Sequence, residues 1–225
     1  MPTSVDLDTS QRVVQAAKRL FFARGYSSTS LRAIARDAGT SESSVLRIYY
    51  SKNGLLRAVY AECWAEVNAH VDSAISAAAA RDVSPSNLLI ELVRSVLELY
   101  QSDPAMMEFL LTHFGFDESL GGLNICEDID PSIDSRVRRE YHSYLERIQV
   151  LCEEFLQTRP DLRQMGVTTR ALGHVFTSII FGIQASWHMA SLEPELTTPS
   201  TAPVDEILII ARALVAPETL PKQKS

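Results

Sequence analysis

Cysteine is scarce in this chain. There are three, Cys63, Cys126 and Cys152, odd in number and far apart, with no Cys-x-x-Cys pair. That argues against a disulfide framework and against a structural zinc site, and leaves reduced, mostly buried thiols as the expectation. Long apolar runs are missing too. None approaches the roughly eighteen residues of a membrane span. The opening MPTSVDLDTS lacks the pattern of a signal peptide, so a cytoplasmic location with no membrane partner is expected. Sustained strand alternation is absent. So are the common catalytic signatures. His70, His113, His142, His174 and His188 show no HExxH spacing, and no GxSxG elbow, P-loop or GxGxxG is found. Glu153-Glu154 and Asp128/Asp130 are carboxylate pairs of the kind usually left solvated. No catalytic residue, metal ligand or cofactor is expected.

Positive charge is also in short supply overall, since the net charge of the 225 residues is −7. Its distribution is uneven. Residues 1–60 hold nine basic side chains (Arg12, Lys18, Arg19, Arg24, Arg32, Arg36, Arg47, Lys52 and Arg57) against four acids (Asp6, Asp8, Asp37 and Glu42). That end carries +5, so the remainder carries −12. Such asymmetry suits a small polyanion-binding module joined to an acidic body.

What the sequence does have is helical period almost throughout. A first helix is expected from about Thr9 to Arg24, with Val13, Ala16, Ala17, Leu20 and Phe21 on one stripe and Gly25 as its left-handed cap. The cluster Ser27-Ser28-Thr29-Ser30 supplies N-cap oxygens for a second helix carrying Leu31, Ile34, Ala35 and Ala38, which Gly39 ends. Ser41 caps a third, with Val45, Leu46 and Tyr49 on neighbouring turns. A long helix follows from about Ser51 to Ala79, keeping apolar residues every fourth position from Leu55 to Ile75. Further helices are expected at 84–102, 104–114, 131–158, 167–190 and 203–216, with a loop over 115–130 and a linker at TTPSTAP. The fold class is therefore all-α. A three-helix head, residues 1–54, precedes a larger helical bundle, residues 55–225.

The segment AGTSESSVLRIYYSKNGLL (38–56) gives the head its purpose. Two turns of helix cannot stand alone in water, so the third helix must be held by its neighbours through Val45 and Tyr49. Helix two, the turn at Gly39 and helix three make a helix-turn-helix. Its exposed face suits the major groove, about 12 Å wide, with Glu42, Ser43 and Ser44 small enough for close approach. Lys52, near the start of the long helix, is placed for a phosphate.

These residues resemble the TetR (tetracycline-repressor-like) family of transcriptional regulators. The resemblance rests on Val13, Ala16-Ala17, Leu20-Phe21, Gly25-Tyr26, Thr29-Ser30, Ile34-Ala35, Ala38-Gly39, Ser41, Tyr49 and Ser51-Lys52-Asn53-Gly54-Leu55, and covers residues 10–58. It implies DNA contact at Thr29, Arg32, Glu42, Ser43, Ser44, Arg47 and Lys52, with Arg32 reaching a base edge and Ser44 and Lys52 matching phosphate contacts. Tyr50 is either a phosphate donor or packing. Two positions depart from the family. Leu46 stands where a phosphate-bonding Tyr is frequent, and Ile48 where Tyr or His is common; neither can donate a hydrogen bond.

The late helices are too apolar for one wet side: Val175, Phe176, Ile179, Ile180, Phe181 and Ile183, then Ile207 to Ile210. A second subunit or a central position in a monomer would cover them. The resemblance implies the former, a homodimer through the two C-terminal helices on a pseudo-palindromic double-stranded DNA operator. It also implies a small-molecule effector in the body. Trp64, Tyr100, Met106, Phe109, Leu110, His113, Phe114, Tyr141, Leu145, Phe176 and Ile180 are the candidate lining, suited to an apolar ligand with a polar end. Release of a repressor by that ligand is the expected logic. A regulator of the same fold without such a pocket, responsive to a protein or constitutive, and a helical-bundle enzyme are the alternatives.

Overall fold

A computed structural model describes residues 4–113, 131–192, 208–209 and 211–212, all but the connecting turns being helical. The elements are α1 (Ser4–Arg24), α2 (Leu31–Asp37), α3 (Glu42–Tyr49), α4 (Lys52–Ala79), α5 (Pro85–Ser102), α6 (Pro104–His113), α7 (Pro131–Gln157), α8 (Pro160–Gln164) and α9 (Thr169–Leu192). Two compact units share them. One comprises residues 1–69 with 103–144, the other 70–102 with 145–225.

In the first unit, α1 buries Val13, Ala16, Ala17 and Phe21 along the expected stripe. It starts at Ser4, earlier than the Thr9 expected. Gly25 closes it at φ +76°, its N–H donating to the Phe21 carbonyl at 2.9 Å. Ser30 caps α2, accepting from the Ala33 N–H at 3.2 Å, and Ile34 and Ala35 point inward. Gly39, at φ +64°, turns the chain toward α3. Arg12 on α1 donates to the Ala38 carbonyl at 3.0 Å, satisfying an acceptor left over at the end of α2. Ser41 caps α3, and Val45 and Tyr49 are buried. Tyr49 donates to the Ser10 carbonyl at 2.9 Å, so the short third helix is fastened to the first. Burial of that phenol raises its pKa.

Packing in this unit extends beyond the three short helices. Phe109 of α6 lies against Phe21 (ring centroids 6.4 Å), Phe22 (5.2 Å) and Tyr60 (5.7 Å). The Tyr60 hydroxyl donates to the Leu110 carbonyl at 2.6 Å. Lys18 pairs with Glu66, and Arg136 with Glu62 at 2.8 Å. Trp64 packs edge-on against Tyr141 at 5.2 Å and beside Tyr144 at 5.3 Å.

In the second unit, α5 buries Leu88, Leu89, Leu92, Val93, Val96 and Leu97 and packs against α9, which buries Phe176, Ile180 and Gln184. Gly173 lets Gln149 come close; a Cβ there would lie 2.8 Å from its side-chain nitrogen. Arg147 pairs with Asp72 at 2.5 Å. The short α8 was not expected. Five residues carry no readable period, and it is held by Pro160 at its first turn and by Arg163, which reaches Glu153 at 2.5 Å. Thr169 donates to the same carboxylate, also at 2.5 Å, and together these donors lower the Glu153 pKa. The expected loop over 115–130 with Cys126, and the TTPSTAP linker, lie outside the described residues. Of the expected helix 203–216, only 208–209 and 211–212 are described, and they are helical.

Candidate nucleic-acid interface

The surface of α3 follows from its burial pattern. Val45 and Tyr49 take the inner side, which leaves Glu42, Ser43, Leu46, Arg47 and the capping Tyr50 exposed on the other. This is the helical spacing of three and four that puts residues on one face. At its start, the Ser41 hydroxyl lies 2.9 Å from that of Ser43 and 2.8 Å from that of Ser44, and accepts the Ser44 N–H at 3.1 Å. Ser44 is therefore half-buried in the cap, whereas Glu42 and Ser43 are exposed to solvent, Ser43 while keeping its contact with Ser41. Tyr50 sits at φ +63°, a strained setting for a bulky residue, and is 57% exposed.

An open cleft of about 500 Å³ separates α2 from the start of α3, lined among others by Ser30, Arg32, Arg36, Thr40 and Glu42. Arg32 and Arg36 are four residues apart, hence neighbours on α2, and both are exposed. Arg36 is a cation of this surface that the reading of the sequence passed over. Its spacing from Arg32 was the signal that would have found it.

Lys52 opens α4. Its ammonium lies 4.2 Å above the Tyr26 ring and 3.5 Å from the Ser27 carbonyl. The cation–π contact holds the charge over Tyr26 rather than letting the stem swing freely. Partial desolvation lowers the Lys52 pKa. This links the turn after α1 to the start of α4.

Thr29 does not belong on this surface. It is 2% exposed, and its hydroxyl donates inward, 2.8 Å from the Gly25 carbonyl and 3.2 Å from that of Leu20. Its backbone N–H is taken by the Tyr26 carbonyl at 3.2 Å. The residue ties the end of α1 to the start of α2, a structural task, because a buried hydroxyl must find an acceptor.

The expected pocket residues fall in both units. Met106, Phe109 and Leu110 are buried in the first, where α6 packs on α1 and α4. Trp64 and Tyr141 adjoin each other in the same unit. Tyr100, Leu145, Phe176 and Ile180 belong to the second unit, with Phe176 and Ile180 buried. The His113 side chain and Phe114 lie outside the described residues. Among the described residues, no helix is long and apolar enough to cross a membrane.

Residues 13–59 match the family model described as bacterial regulatory proteins, tetR family. No curated protein sequence matches the chain. Among solved structures, it is similar to the fatty acid degradation regulator FadR from Bacillus halodurans, with 13% identity, 91% of this chain and 96% of that one covered, and a TM-score of 0.60. It is similar to the transcriptional regulator FadR from Bacillus subtilis in complex with stearoyl-CoA, with 11% identity, 91% and 96% coverage and a TM-score of 0.63. A bacterial regulatory protein in the tetR family from Rhodococcus RHA1 shares 17% identity over 92% and 97% of the chains, with a TM-score of 0.60. At such identities the likeness is one of fold.

Proposed function

We propose that the chain, whose residues 13–59 match the model of the tetR family of bacterial regulatory proteins, works as a member of that family: a homodimeric repressor released from a pseudo-palindromic operator by a small, largely apolar ligand. The observation that carries the DNA reading is the exposed side of α3, together with the exposed Arg32 and Arg36 on α2 and the tethered Lys52 at the start of α4. Glu42, Ser43, Leu46 and Arg47 enter the major groove. Arg32 reaches a base edge from α2, and Lys52 and Tyr50 meet phosphates. Residues 1–54 form the DNA-binding head, and the rest carries ligand binding and dimerisation. Two heads on a twofold axis read half-sites about 34 Å apart or a multiple of that.

Lys52→Ala is expected to weaken binding to all duplexes about equally and, with one such lysine in each of the two heads, to reduce the salt slope by about 2, whereas Arg32→Ala changes which bases are preferred. Fluorescence anisotropy on a panel of duplexes across a salt series reads both. A Lys52→Ala protein with unaltered affinity and salt response would remove that residue from the interface.

The ligand reading is supported by two proteins of similar fold, a fatty acid degradation regulator and a transcriptional regulator in complex with stearoyl-CoA. It is also supported by the adjoining aromatic side chains Trp64 and Tyr141 of the first unit, which suit an apolar molecule. A ligand that binds only the folded chain, present at 100 times its Kd, stabilises it by about 2.7 kcal/mol. Thermal melting against fatty acids and acyl-thioesters should therefore raise the Tm by several degrees and weaken DNA binding in parallel. A flat response across the panel would favour a regulator with a filled body, answering to a protein or to nothing.

A further inference from the structure

The exposed side of α3 holds one residue that a hydrogen-bonding account of DNA contact leaves idle. Six large hydrophobic side chains are exposed among the described residues. Val150, Met165, Val175 and Ile209 belong to the second unit, and Leu46 (39% exposed) and Tyr50 (57%) to the third helix and its cap. Leu46 and Tyr50 are one turn apart, so they share a face, and Glu42 and Ser43 lie one turn earlier on it. Leu46 is thus the apolar centre of a short surface whose other members are polar or charged.

A leucine brought against base edges excludes water from them and returns no hydrogen bond. That loss is offset at one place in the major groove, the C5-methyl group of thymine, the apolar feature among the base-edge groups displayed there. Cytosine offers an amino donor in the neighbouring position, and the purines offer N7 with O6 or N6. Resting on the reading of α3 as the groove helix, we propose that Leu46 reads thymine by packing on its C5-methyl group. Each half-site then contains one thymine whose methyl, not its hydrogen-bonding edge, is recognised. Glu42 and Ser43, one turn N-terminal, address the adjoining base pair.

The test uses the full-length protein and a duplex that it selects from a random-sequence pool. Each thymine is replaced in turn by deoxyuridine, which removes only the methyl group. One position per half-site should then lose about fourfold in affinity, and about fifteenfold when both half-sites are changed. Leu46→Ala should bind the thymine and uracil duplexes equally well, while Leu46→Met, which keeps an apolar tip, should still tell them apart. Leu46 is exposed, so unchanged melting of both variants confirms that the fold is intact. If uracil is tolerated at every position, or if Leu46→Ala discriminates as sharply as the parent, the inference is overturned while DNA binding stands. If no duplex is retained from the pool, the inference falls together with the DNA reading.

Discussion

Replacing Gly54 by alanine should destabilise the head by about 3 kcal/mol or more and lower the Tm by about 10 °C. The reason is the turn that joins α3 to α4. Tyr50 there adopts φ +63°, the Ser51 N–H folds back onto the Tyr49 carbonyl at 2.7 Å, and the Gly54 N–H donates to the Ser51 hydroxyl at 3.0 Å. The Tyr49 carbonyl consequently lies over the first turn of α4. A Cβ on Gly54 would fall 2.1 Å from that oxygen and 3.2 Å from its carbon. Both are backbone atoms, so no rotamer change relieves the overlap. The helix must shift, and it carries Lys52 and the buried Leu55 and Leu56 with it. DNA affinity should fall along with stability, because the distance between Lys52 and α3 is set by this turn. Calorimetry and anisotropy on the same preparation check both. An alanine variant that melts and binds as the parent does would mean that the turn is looser than described.

The second large effect concerns the dimer. On α9, Ala171, Val175, Ser178 and Gly182 are exposed along one side, and Val175 is 49% exposed. Nothing lies within 4 Å of where a Gly182 Cβ would be, which leaves room for close approach by another helix. If this side meets its copy, Val175→Asp buries a carboxylate without a partner in each subunit. The cost is about 3 kcal/mol per buried charge, hence at least a hundredfold in affinity between subunits. In the isolated chain the same change faces water and costs little. Sedimentation should therefore show monomers at concentrations where the parent is dimeric, with melting of the monomer little changed. Affinity for a two-half-site duplex should drop by a similar factor, because one head then binds without the other. A Val175→Asp chain that remains dimeric would move the interface elsewhere.

Much of the head was legible in sequence, and for local reasons. Ser30 and Ser41 are caps where a hydroxyl ahead of an apolar period suggested them, and Gly25 and Gly39 take the left-handed conformations their positions implied. The short-range chemistry of helix ends is encoded within four residues. What failed needed longer range. Thr29 reads as one more polar residue in a serine cluster, and only the carbonyls of Leu20 and Gly25 reveal that its hydroxyl turns inward. Met106, Phe109 and Leu110 present the same stripe whether they line a pocket or pack on a neighbouring helix. The contacts of Phe109 with Phe21 and Tyr60, and of the Leu110 carbonyl with the Tyr60 hydroxyl, join positions some fifty or more apart, which no local period encodes. The start of α1 extends past Thr9 because Asp6 and Asp8 continue the helix without adding to its apolar period.

The most direct measurement is the stoichiometry and salt dependence of duplex binding by the full-length chain. Two chains per selected duplex are expected, with an affinity that falls about a thousandfold between 50 and 200 mM salt, as neutralisation of about six phosphates requires. One chain per duplex, or an affinity indifferent to salt, would contradict this expectation.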